Sequence, residues 1–376
     1  MRVISARTLF LFATYLLFVI ARSDAEETPI AEFSFDDPRL QITLPVRIGE
    51  DTFDFLLDID AKISAYSAER SWTEKPVGYV NAKTGSGFRK VAIYRRPSSM
   101  LGPIKLSEND QVGSLEFTNI SKKVGRPVHG ILGLDVLKQH IIQLDFESQM
   151  VRFLASVPKE SGTYHPFASQ NSEKATLKFE LAGSGFEAQL STASDREFEF
   201  SRTRWDELQR QGHLSRIKAF TDETIGGKTI SNEGTLDSIR FGESAFENVD
   251  VKDTGNSEAA GLKFLSRFLV TIDFPGKAVY LKPSRYFSKS RPRDASGLGL
   301  TSHNHQIVVS SLREGCPAAS SGIRKGDVIL NVDSKKSDDW DIVDLRGALS
   351  VPGKKLTMTI QRDREQLDVS VELADY

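Results

Sequence analysis

Slid against itself by 133 positions, the chain of 376 residues repeats its own pattern. Leu44 falls on Leu177, Phe53 on Phe186, Asp54 on Glu187, Leu57 on Leu190 and Trp72 on Trp205. At a slide of 128, Gly133-Leu134 falls on Gly261-Leu262, Leu137 on Leu265, Asp145-Phe146 on Asp273-Phe274 and Val151 on Val279. The difference between the two slides reads as one change of loop length. A repeat of this kind restricts the fold to two copies of one β-unit facing each other. "GLDVLKQHIIQLDFESQMVRFL" and "GLKFLSRFLVTIDFPGKAVYLK" both read as a turn, a short helix, a strand, a turn and a strand. Short apolar runs such as "LQITLPVRI", "FDFLLDI" and "ATLKFEL", bounded by Gly and Asn turns, predict a mainly β chain.

Composition narrows the function classes. The chain is 39% hydrophobic with a formal net charge of −2, so no nucleic-acid partner is expected. A single cysteine, Cys316, excludes an intramolecular disulfide framework and leaves stability to packed cores. His303 and His305 in "SHNH" read as a solvated turn, and no metal or cofactor is expected. At the N-terminus, Arg2 and Arg7 precede the apolar run "LFLFATYLLFVIA", and Ser23 and Ala25 follow it. This reads as a signal peptide over residues 1–25, cut after Ala25, with an uncleaved anchor as the alternative. The expected location is the periplasm or cell envelope, without stable membrane insertion after cleavage.

The first copy carries Asp58-Ile59-Asp60 at the end of an apolar strand, and the same slide places Ser191-Thr192-Ala193 in the second. A strand ending in Asp, a Gly-rich hairpin, then "HGILGLDVLKQHIIQLDF" (129–146) resembles the bilobal aspartic peptidases, pepsin-like and retropepsin-like. The resemblance covers about residues 30–285 and implies two pseudo-symmetric β-barrel lobes, 26–165 and 166–287. It also implies mobile hairpins at "YVNAKTGSGFRKV" (79–91) and "ETIGGKTIS" (223–231). Such an enzyme needs two carboxylates sharing one proton across the lobes. Here Asp58 holds one catalytic position and Ser191 the other, and a serine cannot be the general base. Thr192 keeps an anchoring hydroxyl, and both loops lack the family's glycine. The resemblance therefore implies a degenerate, catalytically inactive cleft. The alternative is an active aspartic endopeptidase using Asp58, alone or by pairing two chains.

Residues 288–295 lie in a basic, Pro-containing stretch that reads as a linker. Beyond it, "GLGL" (297–300) and "EGCPAASSGIRKGDVIL" look like a PDZ domain of the bacterial type over 296–376, a small β-sandwich with helices. "DDWDIVDLRGALS" fits its groove helix, with Leu345 among the apolar residues. That resemblance implies that an extended peptide adds as a strand beside Gly297-Leu298-Gly299-Leu300, whose backbone amides receive a C-terminal carboxylate. The expected partners are peptides or protein C-termini, and the sequence leaves the oligomeric state open.

Overall fold

The computed structural model describes residues 28–35, 41–69, 75–84, 87–108, 110–124, 127–224, 227–254, 257–288, 294–303, 306–312, 315–340 and 342–374. The signal-peptide reading, Trp72 and His305 lie outside these residues.

The chain is mainly β, and two of its sheets repeat one strand order. In the nine-stranded sheet, neighbours run Thr43–Ile48, Asp51–Leu57, Gly130–Leu132, Ala65–Ser67, Gln111–Leu115, Gly87–Arg95 and Gly78–Thr84. Ser99–Leu101 and Ile104–Leu106 extend it beyond Thr43–Ile48. In the seven-stranded sheet they run Thr176–Leu181, Ser184–Leu190, Ala259–Ala260, Phe198–Phe200, Ser244–Asp253, Gly227–Phe241 and Leu214–Thr224. Both orders include the same parallel pairing. Gly130–Leu132 runs parallel to Asp51–Leu57, and Ala259–Ala260 runs parallel to Ser184–Leu190. Alternation explains the strands themselves: Leu177, Phe179 and Leu181 bury one face of Thr176–Leu181, and Lys178 and Glu180 face water.

A third sheet joins the copies. Its six strands run Ala31–Ser34, Met150–Leu154, Ile141–Asp145, Phe268–Asp273, Ala278–Pro283 and Thr163–Pro166. At its centre Ile141–Asp145 pairs antiparallel with Phe268–Asp273, with Gln143 opposite Thr271. These two residues are 128 positions apart, and Gln143 Nε2 donates to Thr271 Oγ1 at 3.1 Å. Each is the other's repeat equivalent, so the local two-fold axis passes between them. One contiguous apolar core, from Ala31 to Leu281, runs through both copies, and a smaller cluster around Leu56, Phe117 and Ile131 lies in the first.

The single loop-length change expected between the slides is instead a set of larger, compensating ones. Ala65 pairs with Gly113 as Phe198 pairs with Val251, so the offset has risen from 133 to 138 (251 − 113). It returns to 128 after the first copy accommodates the helix Thr118–Val124, where the second passes from Asp253 to Ala259. Loops at a sheet's end absorb such changes without disturbing strand register.

The C-terminal sheet is separate. Leu298–His303 forms its edge, followed by Gln306–Leu312, Val328–Val332, Lys355–Arg362 and Glu365–Glu372, with Lys335–Lys336 beside Val328–Val332. Helices Pro317–Ser320 and Ile342–Ala348 complete this region. Its own core includes Leu298, Leu300, Ile329, Leu345, Leu349, Met358 and Ile360. Asp327, buried at the start of Val328–Val332, receives two bonds of 2.8 Å from the Arg362 guanidinium and one from the Arg324 amide. Burial pushes its carboxyl up, but these donors outweigh burial and the net shift is downward.

Candidate functional site

The two repeated loops meet on the two-fold axis. Asp58 N–H donates to Leu132 O at 3.0 Å, and its equivalent, Ser191 N–H, donates to Ala260 O at 2.9 Å. Leu134 N–H reaches Ala61 O at 2.8 Å, and Leu262 N–H reaches Ser194 O at 2.9 Å. The backbone is therefore the same on both sides, whereas the side chains differ. Thr192 Oγ1 accepts from Ile59 N–H at 3.2 Å and donates to Leu57 O at 2.5 Å, stitching the second copy to the first. Ile59 is fully buried but has no hydroxyl with which to reciprocate. Gln41 Nε2 adds a bond to Ala193 O at 3.0 Å.

Asp58 works as a local cap. Its Oδ1 accepts from the amides of Asp60 and Ala61, at 3.2 and 2.9 Å. Ser191 Oγ does the equivalent for Ala193 N–H at 3.2 Å. Both are side chains that hold a turn by accepting from backbone ahead of them. The carboxyl that approaches Asp58 is Asp60, from the same loop. Burial pushes the Asp60 carboxyl well above the usual range, and the neighbouring Asp58 charge and hydrogen bond push it further. Lys174 opposes this and Glu199 adds to it. Gln189 Nε2, from the second copy, donates to Asp60 Oδ2 at 3.0 Å, and Lys174 Nζ donates to Gln189 Oε1 at 2.9 Å.

In the C-terminal region, the strand Leu298–His303 pairs within its sheet with one described strand, Gln306–Leu312, and touches the helix Ile342–Ala348. An edge strand beside a helix is the geometry that accepts an added strand. The segment leading into it is firmly built. Asp294 Oδ1 accepts from Ser296 N–H at 3.2 Å and from Ser296 Oγ at 2.7 Å, and Asp294 Oδ2 accepts from Gly297 N–H at 2.6 Å. Ser296 Oγ in turn accepts from Leu298 N–H at 3.1 Å. Gly297 has φ +79°, the left-handed conformation that glycine adopts without strain. Leu298, Leu300 and Leu345 are buried in the core, and Gly299 lies between the two leucines.

A PDZ-domain family profile matches residues 296–373. Residues 296–373 are a PDZ domain. Among curated proteins, a probable CtpA-like serine protease of Staphylococcus aureus strain MRSA252 is 27% identical over 162 residues, covering 41% of this chain and 32% of that protein. The same-named protein of strain bovine RF122 / ET3-1 is 34% identical over 162 residues, with the same coverage. Tight junction protein ZO-3 of Canis lupus familiaris is 28% identical over 117 residues, covering 31% of this chain and 13% of that protein. The chain thus spans about a third of the length of the CtpA-like relatives it matches.

These findings correct the functional expectation. The relatives carrying an enzyme name are serine proteases, so the aspartic-peptidase-like, retropepsin-like and pseudoenzyme readings do not stand. The geometry at the axis bears on the alternative of an active Asp58 endopeptidase. The second copy opposes Asp58 with Ser191, a turn cap, and Thr192, a structural stitch, where a shared-proton pair needs a second carboxylate. The paired carboxyls lie within one loop. Sequence reasoning missed Asp294 and Ser296, which organise the PDZ entry. The signal available was an Asp followed two residues on by Ser and three on by Gly, an Asx-turn pattern. No described helix is long and apolar enough to cross a membrane.

Proposed function

We propose that this chain recognises extended polypeptides through its PDZ domain, in the service of proteolysis of the kind its CtpA-like relatives are named for. The observation that carries the reading is the edge strand Leu298–His303, which pairs on one side with Gln306–Leu312 and lies against the helix Ile342–Ala348. An extended chain laid there forms backbone hydrogen bonds along one side, which favours polypeptides without demanding one sequence. In this reading Gly297, Leu298, Gly299, Leu300 and Leu345 shape the groove from below. The loops at Asp58-Ile59-Asp60 and Ser191-Thr192-Ala193 lock the repeated copies together. The division follows as residues 26–165 and 166–287 for the copies and a linker from residue 288 into the PDZ domain, whose core already takes in Ala295. Export, with the leader cut after Ala25, completes the proposal.

Hydrogen exchange of the full chain tests it, with and without reduced, carboxymethylated lactalbumin as an unfolded polypeptide. Slower exchange within residues 298–303 is expected on addition. Unchanged exchange there, with protection confined to residues 28–288 or absent, overturns the reading.

A further inference from the structure

A PDZ groove can read its ligand in two ways. It can grip a terminal carboxylate with free loop amides, or it can add a strand from any extended segment. Two of the four amides of residues 297–300 are already committed. Gly297 N–H donates to the Asp294 carboxylate and Leu298 N–H donates to Ser296 Oγ. The turn that commits them is fixed from three sides. Ala295 N–H donates to Leu349 O at 2.9 Å, Ala374 N–H to Ala295 O at 3.0 Å, and Ala318 N–H to Ser296 O at 3.0 Å. Ala295 and Ser296 are buried, so neither committed amide can swing toward a ligand without breaking packed structure. The Asp294 carboxylate, 2.6 Å from the Gly297 nitrogen, already occupies the place a ligand carboxylate would take at that amide. The leucines that would form a socket for a terminal side chain, Leu298, Leu300, Leu345 and Leu349, are buried in the domain's own core.

We propose that this PDZ domain takes internal segments of extended polypeptide and does not read a free C-terminal carboxylate. The proposal rests on the peptide-binding reading above and sets its substrate class. Internal segments become exposed when a protein unfolds, whereas C-termini are exposed in folded and unfolded proteins alike. A groove of this kind selects unfolded chains.

The test uses the full chain and a set of short peptides. Each peptide is made with a free C-terminal carboxylate, with a C-terminal amide, and embedded within a longer peptide. Equal affinity of acid and amide within about twofold, with binding of the embedded form retained, is the expected result. A charged hydrogen bond made by the acid alone would instead give a preference of at least about tenfold. That preference overturns the proposal while leaving the peptide-binding reading intact. Failure of all three forms overturns both. Asp294→Ala frees the Gly297 amide and removes the charge. In the variant, checked for folding by circular dichroism, the acid is expected to bind more tightly than the amide. A folded variant with an unchanged ratio overturns the role given to Asp294.

Discussion

At residue scale, Asp58 and Ser191 show how one backbone tolerates two chemistries. Each caps its own turn, Asp58 with two amides and Ser191 with one. Thr192 ties the seam at the loops, because its hydroxyl satisfies both a buried amide and a buried carbonyl of the other copy. The protonation state of Asp60 is coupled to folding. Its folded carboxyl binds its proton more tightly than the unfolded chain does, because burial and Asp58 disfavour the charge. Between the ordinary carboxylate range and that raised value, the folded state holds the extra proton, so stability falls as pH rises through the window. Above it, the full cost is present. Asp60→Asn keeps an acceptor for Gln189 and removes the titration. The variant is expected to be more stable than the parent at neutral pH, with the difference closing as pH falls toward the ordinary carboxylate range. Thermal unfolding across pH measures this, and a constant difference would refute it. The groups facing Asp60 are Asp58, Gln189, Lys174 and Glu199, so the trend belongs to this cluster.

At element scale, the repeated short helices Leu134–Leu137 and Leu262–Leu265 each start at a glycine pressed against the neighbouring loop. A Cβ at Gly133 would sit 2.7 Å from Ile63 C and 2.8 Å from Ala61 O, and one at Gly261 would sit 2.4 Å from Arg196 O. Backbone cannot yield as a side-chain tip can. Gly133→Ala is expected to destabilise the folded chain by about 1–3 kcal/mol or to abolish folding. Urea unfolding reads the loss, and an unchanged midpoint would show that the loop relaxes. The same elements carry inverted charge in the two copies. Asp135 pairs with Arg96, whereas its equivalent Lys263 pairs with Asp250. Backbone packing was retained while the ionic partners exchanged sign, since an ion pair works in either polarity.

At the scale of the whole molecule, the cores divide the chain differently from its repeat. Both copies share one core and a central sheet, whereas the PDZ domain has a core of its own with no residue in common. Calorimetry of the full chain is expected to show two transitions, one for the joined copies and one for the PDZ domain. Leu345→Ala, which empties a fully buried site, should lower the PDZ transition alone, at a cost of about 2–5 kcal/mol. A single transition that moves as a whole would contradict the division. Under the proposed function, the PDZ domain could then lose peptide binding without loss of the repeated region.

The linear sequence determined the mainly β class, the repeat and the PDZ pattern. Alternation, spaced glycines and turn residues are local signals, and a repeated unit doubles them. The offsets of 133 and 128 also marked the residues on the axis, since Ile59 bonds to Thr192 and Gln143 to Thr271 at those separations. Only the tertiary structure decided what the marked residues do. Asp58 reads alike as a cap or as half of a shared-proton pair, because a motif does not specify what faces it. The repeat already set Ser191 opposite Asp58, and the structure added that each caps its own turn while Thr192 ties the copies together. Likewise "GLGL" does not reveal that Asp294 and Ser296 occupy its first amides. That depends on a turn held by Leu349, Ala374 and Ala318, which lie far along the chain and close in space. Hydrogen-bond occupancy is a property of the packed structure, and the choice of ligand follows from it.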